Sequence, residues 1–231
     1  MREARRRGLK VAAATGMVMT MMTGCGSTVP EGDQLYWDGE KHYTEYATVM
    51  HSVIMSIDEG PWRVDSYGAS PIPCDRDGGD SGYMFSWVRV LAQDAVDAEA
   101  VEAAATAAFE KAGLDAETAT FGEGDRQEIN IIGTGAPVGR GVVTIRPARA
   151  TIEVTAETDC FAGDAGDLSD LIFDGLVYKG ASQRFPAFEG PDWQPRFYFP
   201  EDGSPVYRNA DGTPVEPQPT TTDFPVAPYA K

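Results

Sequence analysis

The sequence is short of cysteine and histidine and has no long hydrophobic segment. Its 231 residues include 3 cysteines and 2 histidines. The longest apolar run covers residues 11–22, which is less than the roughly 20 residues that a helix needs to cross a bilayer. No G-x-S-x-G segment is present, so nothing indicates the nucleophile turn of an α/β-hydrolase.

The two histidines are placed where they cannot act together. His42 and His51 lie nine positions apart on a predicted helix, which puts them about 180° apart around its axis. They cannot share a metal ion or form a catalytic dyad from that helix, so we predict two surface histidines. No metal site and no cofactor are predicted.

Positive charge is also scarce. Lys and Arg number 19 against 36 Asp and Glu, which gives a formal net charge of −17. Removal of residues 1–24 would leave 14 basic and 35 acidic residues, a formal charge of −21. Such a surface repels phosphate groups, so we expect no nucleic-acid partner.

The N-terminus has the layout of an export signal. A basic head with Arg2 and Lys10 precedes the apolar run, and Met22-Thr23-Gly24 leads into Cys25. This arrangement resembles bacterial lipoprotein precursors, in which the cysteine is lipidated and becomes the new N-terminus. The resemblance implies a signal peptide at 1–24, a lipidated leash at 25–33 and attachment to the outer face of the cell membrane. The alternative is an ordinary secreted protein with a cysteine there by coincidence.

Cys74 and Cys160 remain as a pair once Cys25 is assigned to the lipid. In an oxidising compartment such a pair is expected to form a disulfide. The bridge would close a loop of 86 residues, for which the chain-entropy model assigns at most about 4 to 5 kcal/mol. The alternative is two free thiols, one of them a nucleophile or metal ligand.

Hydrophobic periodicity predicts two helices and a sheet within a domain at 34–180. One helix is predicted over 43–57, and a second begins at Asp94 or Asp97 and ends at Gly113. Strands are predicted at 62–66, 82–91, 117–121, 127–132, 141–146 and 150–158, and a short helix within 163–180. The order predicts an α+β two-layer sandwich, with both helices on one face of a mostly antiparallel sheet.

The C-terminal segment, residues 181–231, is predicted to be a Pro-rich, partly disordered extension. Ten of the 16 prolines follow Phe185, and this composition favours extended backbone. Its first part is rich in aromatic residues that are too apolar for a solvated linker, namely Phe185, Trp193, Phe197, Tyr198, Phe199 and Tyr207. We expect residues 185–207 to lie against the domain and 211–231 to be mobile or reserved for a partner.

Residues 34–162 resemble the LppA-type lipoproteins of actinobacteria. The resemblance is carried by Trp62 ahead of Cys74, by the helix with Phe109 near its end, and by Thr158-Asp159-Cys160-Phe161 after the strands. It implies an envelope location and supports the pairing of Cys74 with Cys160. It implies no enzymatic activity and no functional residues, since none are established for that family.

Other motifs have simpler explanations than chemistry. Residues 75–80 and the series Asp164, Asp167, Asp170 and Asp174 suggest calcium ligands, but a solvated turn and a charged helix face explain them better. The glycine-rich stretch 133–141 is predicted to be a hairpin turn. A set of aromatic residues is expected to fill the core rather than to form a binding platform, with Tyr67 and Tyr83 the two that could be exposed; the set is Trp62, Tyr67, Tyr83, Phe85 and Trp87.

Two functions are consistent with this sequence. The first is a non-enzymatic, lipid-anchored envelope protein that binds another envelope protein or a small ligand near the membrane. The alternative is a cell-wall hydrolase that uses a pair of carboxylates, since carboxylates are the abundant catalytic residue type. No sequence motif pairs two of them.

Overall fold

The computed structural model describes residues 29–76, 78–173, 188–193, 195 and 197. This part of the chain forms the α-helices α1 (Gly32–Ile57), α2 (Ala98–Lys111) and α3 (Ala165–Phe173). The strands are β1 (Trp62–Ser66), β2 (Ile72–Asp75), β3 (Ser81–Met84), β4 (Ser86–Ala92), β5 (Asp115–Phe121), β6 (Glu128–Gly135), β7 (Val138–Arg146), β8 (Thr151–Glu157), β9 (Phe161–Ala162) and β10 (Phe188–Glu189). Within the described residues no helix is long and apolar enough to span a membrane.

The strands form two antiparallel sheets. The larger has the order β10-β1-β4-β8-β7-β6-β5, and the smaller has the order β2-β3-β9. Each neighbouring pair is antiparallel. The predicted α+β class with a mostly antiparallel sheet and one disulfide is confirmed.

Helix α1 begins eleven residues before the predicted start. Leu35 and Gly39 extend its buried stripe towards the N-terminus. A Cβ at Gly39 would lie 2.9 Å from Leu168 of α3, so the glycine lets α3 pack directly on α1. Because glycine has no side chain, it interrupts the apolar pattern in the sequence, and the predicted helix therefore started too late.

Helix α2 matches its prediction closely. Asp97 is the N-cap, and its side chain accepts a hydrogen bond from Ala100 N at 3.1 Å. Gly113, with φ +80°, follows the helix end. The buried face of α2 includes Phe109, whose ring lies over Gly133 of β6 and Gly141 of β7.

The predicted strand at 82–91 is two strands in different sheets. The break is at Phe85, whose N–H donates to Thr158 Oγ1 at 3.0 Å and whose carbonyl accepts from Thr158 N at 3.0 Å. At this pair one chain segment passes from the small sheet to the large sheet, between β3 and β4, and the other passes from the large sheet to the small sheet, between β8 and β9. Pro73 lies within β2, an edge strand where its missing N–H is tolerated.

The disulfide between Cys74 and Cys160 is present, with the Cα atoms 6.0 Å apart. Cys74 belongs to β2, and Cys160 follows β8 and precedes β9. The bridge therefore joins the edge strand of the small sheet to the segment that leaves the large sheet. It confirms the predicted pairing of these two cysteines.

Candidate functional site: a buried arginine, glutamate and histidine

A short piece of the C-terminal extension completes the edge of the large sheet. Strand β10 pairs with β1 in the register Trp62 with Glu189 and Arg63 with Phe188. Because side chains alternate along a strand, Glu189 points into the core while Phe188 is 42% exposed. We call residues 188–193 the strap.

The carboxylate of Glu189 lies between two basic side chains. Arg89 Nε donates to Glu189 Oε2 at 2.5 Å, and His51 Nδ1 lies 2.5 Å from Glu189 Oε1. The side chain of Glu189 is fully buried and that of Arg89 is 1% exposed. A carboxylate only accepts hydrogen bonds, so Nδ1 of His51 is the donor.

Arg89 is fixed from several directions. Strand β4 buries alternate residues, which places Arg89 on the core face with Trp87. Its Nη1 donates to Ser66 O at 2.6 Å and to Val88 O at 3.1 Å. Its guanidinium carbon lies 4.1 Å from the centroid of the Trp87 ring, an attractive cation–π contact. The guanidinium is therefore held in one place, with Nε directed at Glu189.

Trp193 holds the other end of the strap. Its ring centroid lies 5.2 Å from that of His51 and 6.1 Å from that of Tyr67. The backbone N–H of Trp193 donates to Gly190 O at 3.0 Å, which closes a turn after β10. The tryptophan thus covers the same histidine that contacts Glu189.

Buried tyrosines lie close to the cluster. Tyr46 is buried and donates from its hydroxyl to Gly68 O at 3.2 Å. Burial raises the pKa of Tyr46 well above its ordinary value, although Arg89 opposes that shift. Burial likewise raises the pKa of Tyr43. Both phenols stay neutral at physiological pH, so neither supplies a counter-charge for Arg89.

The predicted packing of the extension is confirmed where the structure describes it. Trp193 packs against the core and Phe197 is 4% exposed. Phe185, Tyr198, Phe199, Tyr207 and the stretch 211–231 lie outside the described residues, as does Cys25. The sequence placed the extension outside the domain, whereas β10 is a strand of the large sheet.

The two histidines lie on opposite sides of α1, as predicted, but they are not simple surface residues. His51 is 16% exposed at its side chain and contacts Glu189. His42 is half-buried, stacks on Phe161 with centroids 3.6 Å apart, and has Nδ1 3.0 Å from the Tyr83 hydroxyl. The surface prediction was wrong because both partners come from distant parts of the chain.

The remaining motifs are structural. Asp75 ends β2, and Arg76 N donates to Asp80 O at 2.9 Å in the connection to β3; Asp77 is outside the described residues. Asp164 Oδ1 accepts from Gly166 N and Asp167 N at the start of α3. The stretch 133–141 is the β6–β7 hairpin, and the five candidate platform aromatics, Tyr67 and Tyr83 included, are buried in the core.

A second polar region lies at the far end of the large sheet. A surface cavity of about 240 Å³ is lined by Asp125, Arg126, Gln127, Glu128, Arg146 and Arg149. Arg146 Nε donates to Glu128 Oε1 at 2.7 Å, and this hydrogen bond lowers the pKa of Glu128. Among the described residues, no group of three or more His, Cys, Asp or Glu side chains could hold a metal ion.

Comparison with known proteins identifies neither a family nor a function for this chain. No protein-family model and no curated protein matches the chain. A crystal structure of a DUF4853 family protein from Actinomyces odontolyticus ATCC 17982 is similar at 18% sequence identity and a TM-score of 0.39, over 53% of this chain and 68% of that one. Its source is an actinobacterium. A similarity of this degree carries no argument about function.

Proposed function

We propose that this protein is an extracytoplasmic lipoprotein of the LppA type, anchored to the outer face of the cell membrane by a lipid on Cys25. The observation that carries the proposal is the disulfide between Cys74 and Cys160. Disulfides persist in oxidising compartments, and this one leaves Cys25 as the remaining cysteine of the three. That cysteine stands where a lipoprotein signal would be cleaved.

The folded domain is proposed to bind a protein or small ligand near the membrane rather than to catalyse a reaction. The support is the cluster of Arg89, Glu189 and His51, which is built to hold a carboxylate in a fixed place. Its charged groups compensate one another, and its neighbours are neutral phenols. Such an arrangement serves recognition through charge-assisted hydrogen bonds.

The alternative of a two-carboxylate hydrolase has less support. A glycosidase needs one carboxyl group whose pKa is raised so that it can act as an acid. In the surface cavity the pKa of Glu128 is lowered, because Arg146 donates a hydrogen bond to it. Arg63 lowers the pKa of Asp65 in the same way. Neither carboxyl group suits the role of general acid.

The anchor is tested by replacing Cys25. We expect Cys25→Ser to abolish labelling by a fatty acid analogue and to move the protein from the membrane fraction to the soluble fraction, because the lipid is the proposed attachment and no helix among the described residues could span a membrane. A Ser27→Ala variant is the control and should keep both label and location. Equal amounts of Cys25→Ser and unmodified protein in the membrane fraction would contradict the proposal.

A further inference from the structure

The strap buries the charged side chain of Glu189, and burying a charge costs free energy even when the charge is paired. Glu189 is fully buried, and among the described residues its carboxylate is bound by Arg89 and His51, which lie 100 and 138 residues away in the sequence. Replacing a buried ion pair by apolar residues of similar size is often neutral or stabilising. Stability alone is therefore a weak reason to place a carboxylate here.

The cluster is also placed where a peptide is able to bind. Glu189 enters from β10, which adds to the outer edge of β1. Within the described residues β10 pairs with Trp62 and Arg63 of that five-residue strand. Addition of an extended segment to a sheet edge is a common mode of peptide recognition, with backbone hydrogen bonds for affinity and a side-chain pocket for specificity. Here the pocket is formed by Arg89, His51 and the ring of Trp87.

We propose that the edge of β1 together with Arg89 and His51 is a binding site for an extended acidic peptide, and that the strap is its resident ligand. The peptide's glutamate takes the position of Glu189 between the two basic side chains. An aromatic residue four positions later takes the position of Trp193 beside His51. The inference rests on the proposed binding function and is independent of the lipid on Cys25.

The experiment uses the full chain, purified in a mild detergent, with Glu189→Ala to empty the carboxylate position between Arg89 and His51. The probe is a synthetic peptide with the sequence of residues 187–197, AFEGPDWQPRF. We expect it to raise the thermal midpoint of this variant by about 2 to 4 °C at about five times its dissociation constant. The unmodified protein should show no shift, because its own strap competes at a high effective concentration.

The matched controls isolate the carboxylate. A peptide with glutamine at the position of Glu189 should bind at least about tenfold more weakly, since it loses the charge-assisted hydrogen bonds. Adding Arg89→Met to the Glu189→Ala protein should abolish the difference between the two peptides. Glu189→Gln keeps the side-chain volume and serves as receptor if the alanine variant does not fold.

Two results overturn the inference. One is the absence of any shift in the folded variant at peptide concentrations up to about 1 mM, which lies well above the range of specific peptide recognition. The other is an equal shift with the glutamate and the glutamine peptides. Because the protein is purified before the assay, neither result depends on whether Cys25→Ser leaves the membrane.

Discussion

At the scale of the residue, the surroundings of His42 change its pKa without forming a functional site around it. It is half-buried, stacked on Phe161 and close to the hydroxyl of Tyr83. Burial lowers its pKa, and Lys41 acts in the same direction, while Asp38 and Glu45 oppose the shift. His42 is therefore neutral at pH 7 and belongs to the packing between α1 and the small sheet.

This lowered pKa predicts a loss of stability on acidification. The unfolded chain binds a proton at His42 near pH 6.5, whereas the folded protein binds it at a lower pH, so protonation favours unfolding. The contribution is complete above about pH 6.5 and is lost as the pH falls towards the folded pKa. Urea unfolding at pH 7.5 and 5.5 should show a smaller loss for His42→Gln than for the unmodified protein.

Comparing His42→Gln with the unmodified protein isolates the contribution of His42 to the pH dependence of stability. His51 and all carboxyl groups are present in both, so their contributions are shared and only the part due to His42 differs. An identical dependence of unfolding free energy on pH in the two proteins would contradict the assignment of a lowered pKa to His42.

At the scale of the element, the contact between α2 and the large sheet depends on glycine. The ring of Phe109 lies over β6 at Gly133, where a Cβ would come within 2.5 Å of Phe109 Cδ1. The neighbouring strand also presents a glycine, Gly141, to the same ring. These glycines form a flat surface that an aromatic ring can cover closely, and they set the distance between helix and sheet.

A methyl group added at Gly133 should lower the stability of the protein. We expect Gly133→Ala to lower the free energy of unfolding by about 1 to 3 kcal/mol, because the Phe109 ring must move out of a packed position. The exposed neighbour Thr134 provides the control, and Thr134→Ala should cost less than about 1 kcal/mol. Urea denaturation measures both.

The origin of that cost is tested by a double variant. If the clash with Phe109 is responsible, the effect of Gly133→Ala should shrink in a Phe109→Leu background. Additive effects would assign the cost to the strand backbone rather than to the helix contact.

At the scale of the whole molecule, the two sheets are joined at a few points. Phe85 and Thr158 exchange hydrogen bonds where the chain passes between sheets, and the disulfide joins Cys74 to Cys160 nearby in the chain. Apart from the bridge, the edge strand β2 pairs with β3 and packs against α3. The bridge ties this edge to the end of the large sheet.

Removing the bridge should therefore weaken the molecule as a whole. We expect Cys74→Ala combined with Cys160→Ala to lower the free energy of unfolding by about 2 to 5 kcal/mol, with the released loop spanning 86 residues. Cys25→Ser, which leaves the bridge intact, is the control and should unfold at the same urea concentration as the unmodified protein. A change below about 0.5 kcal/mol in the double variant would show that β2 is held by packing alone.

The sequence by itself determined the features that depend on neighbouring residues. Helix α2 was predicted with its cap at Asp94 or Asp97 and its end at Gly113, because capping and helix termination are local effects. Strands β5 to β8 followed from alternation and from glycine-rich turns. The disulfide followed from counting, since only two cysteines remained once Cys25 was assigned.

The tertiary structure decided the features that depend on distant partners. The change of sheet at Phe85 requires Thr158, and the early start of α1 requires α3 against Gly39. Arg89 shares the buried face of β4 with Trp87 and Leu91, and a buried charge needs a partner. Only the folded chain identifies that partner as Glu189, because electrostatic pairing across 100 residues leaves no periodic trace in the sequence.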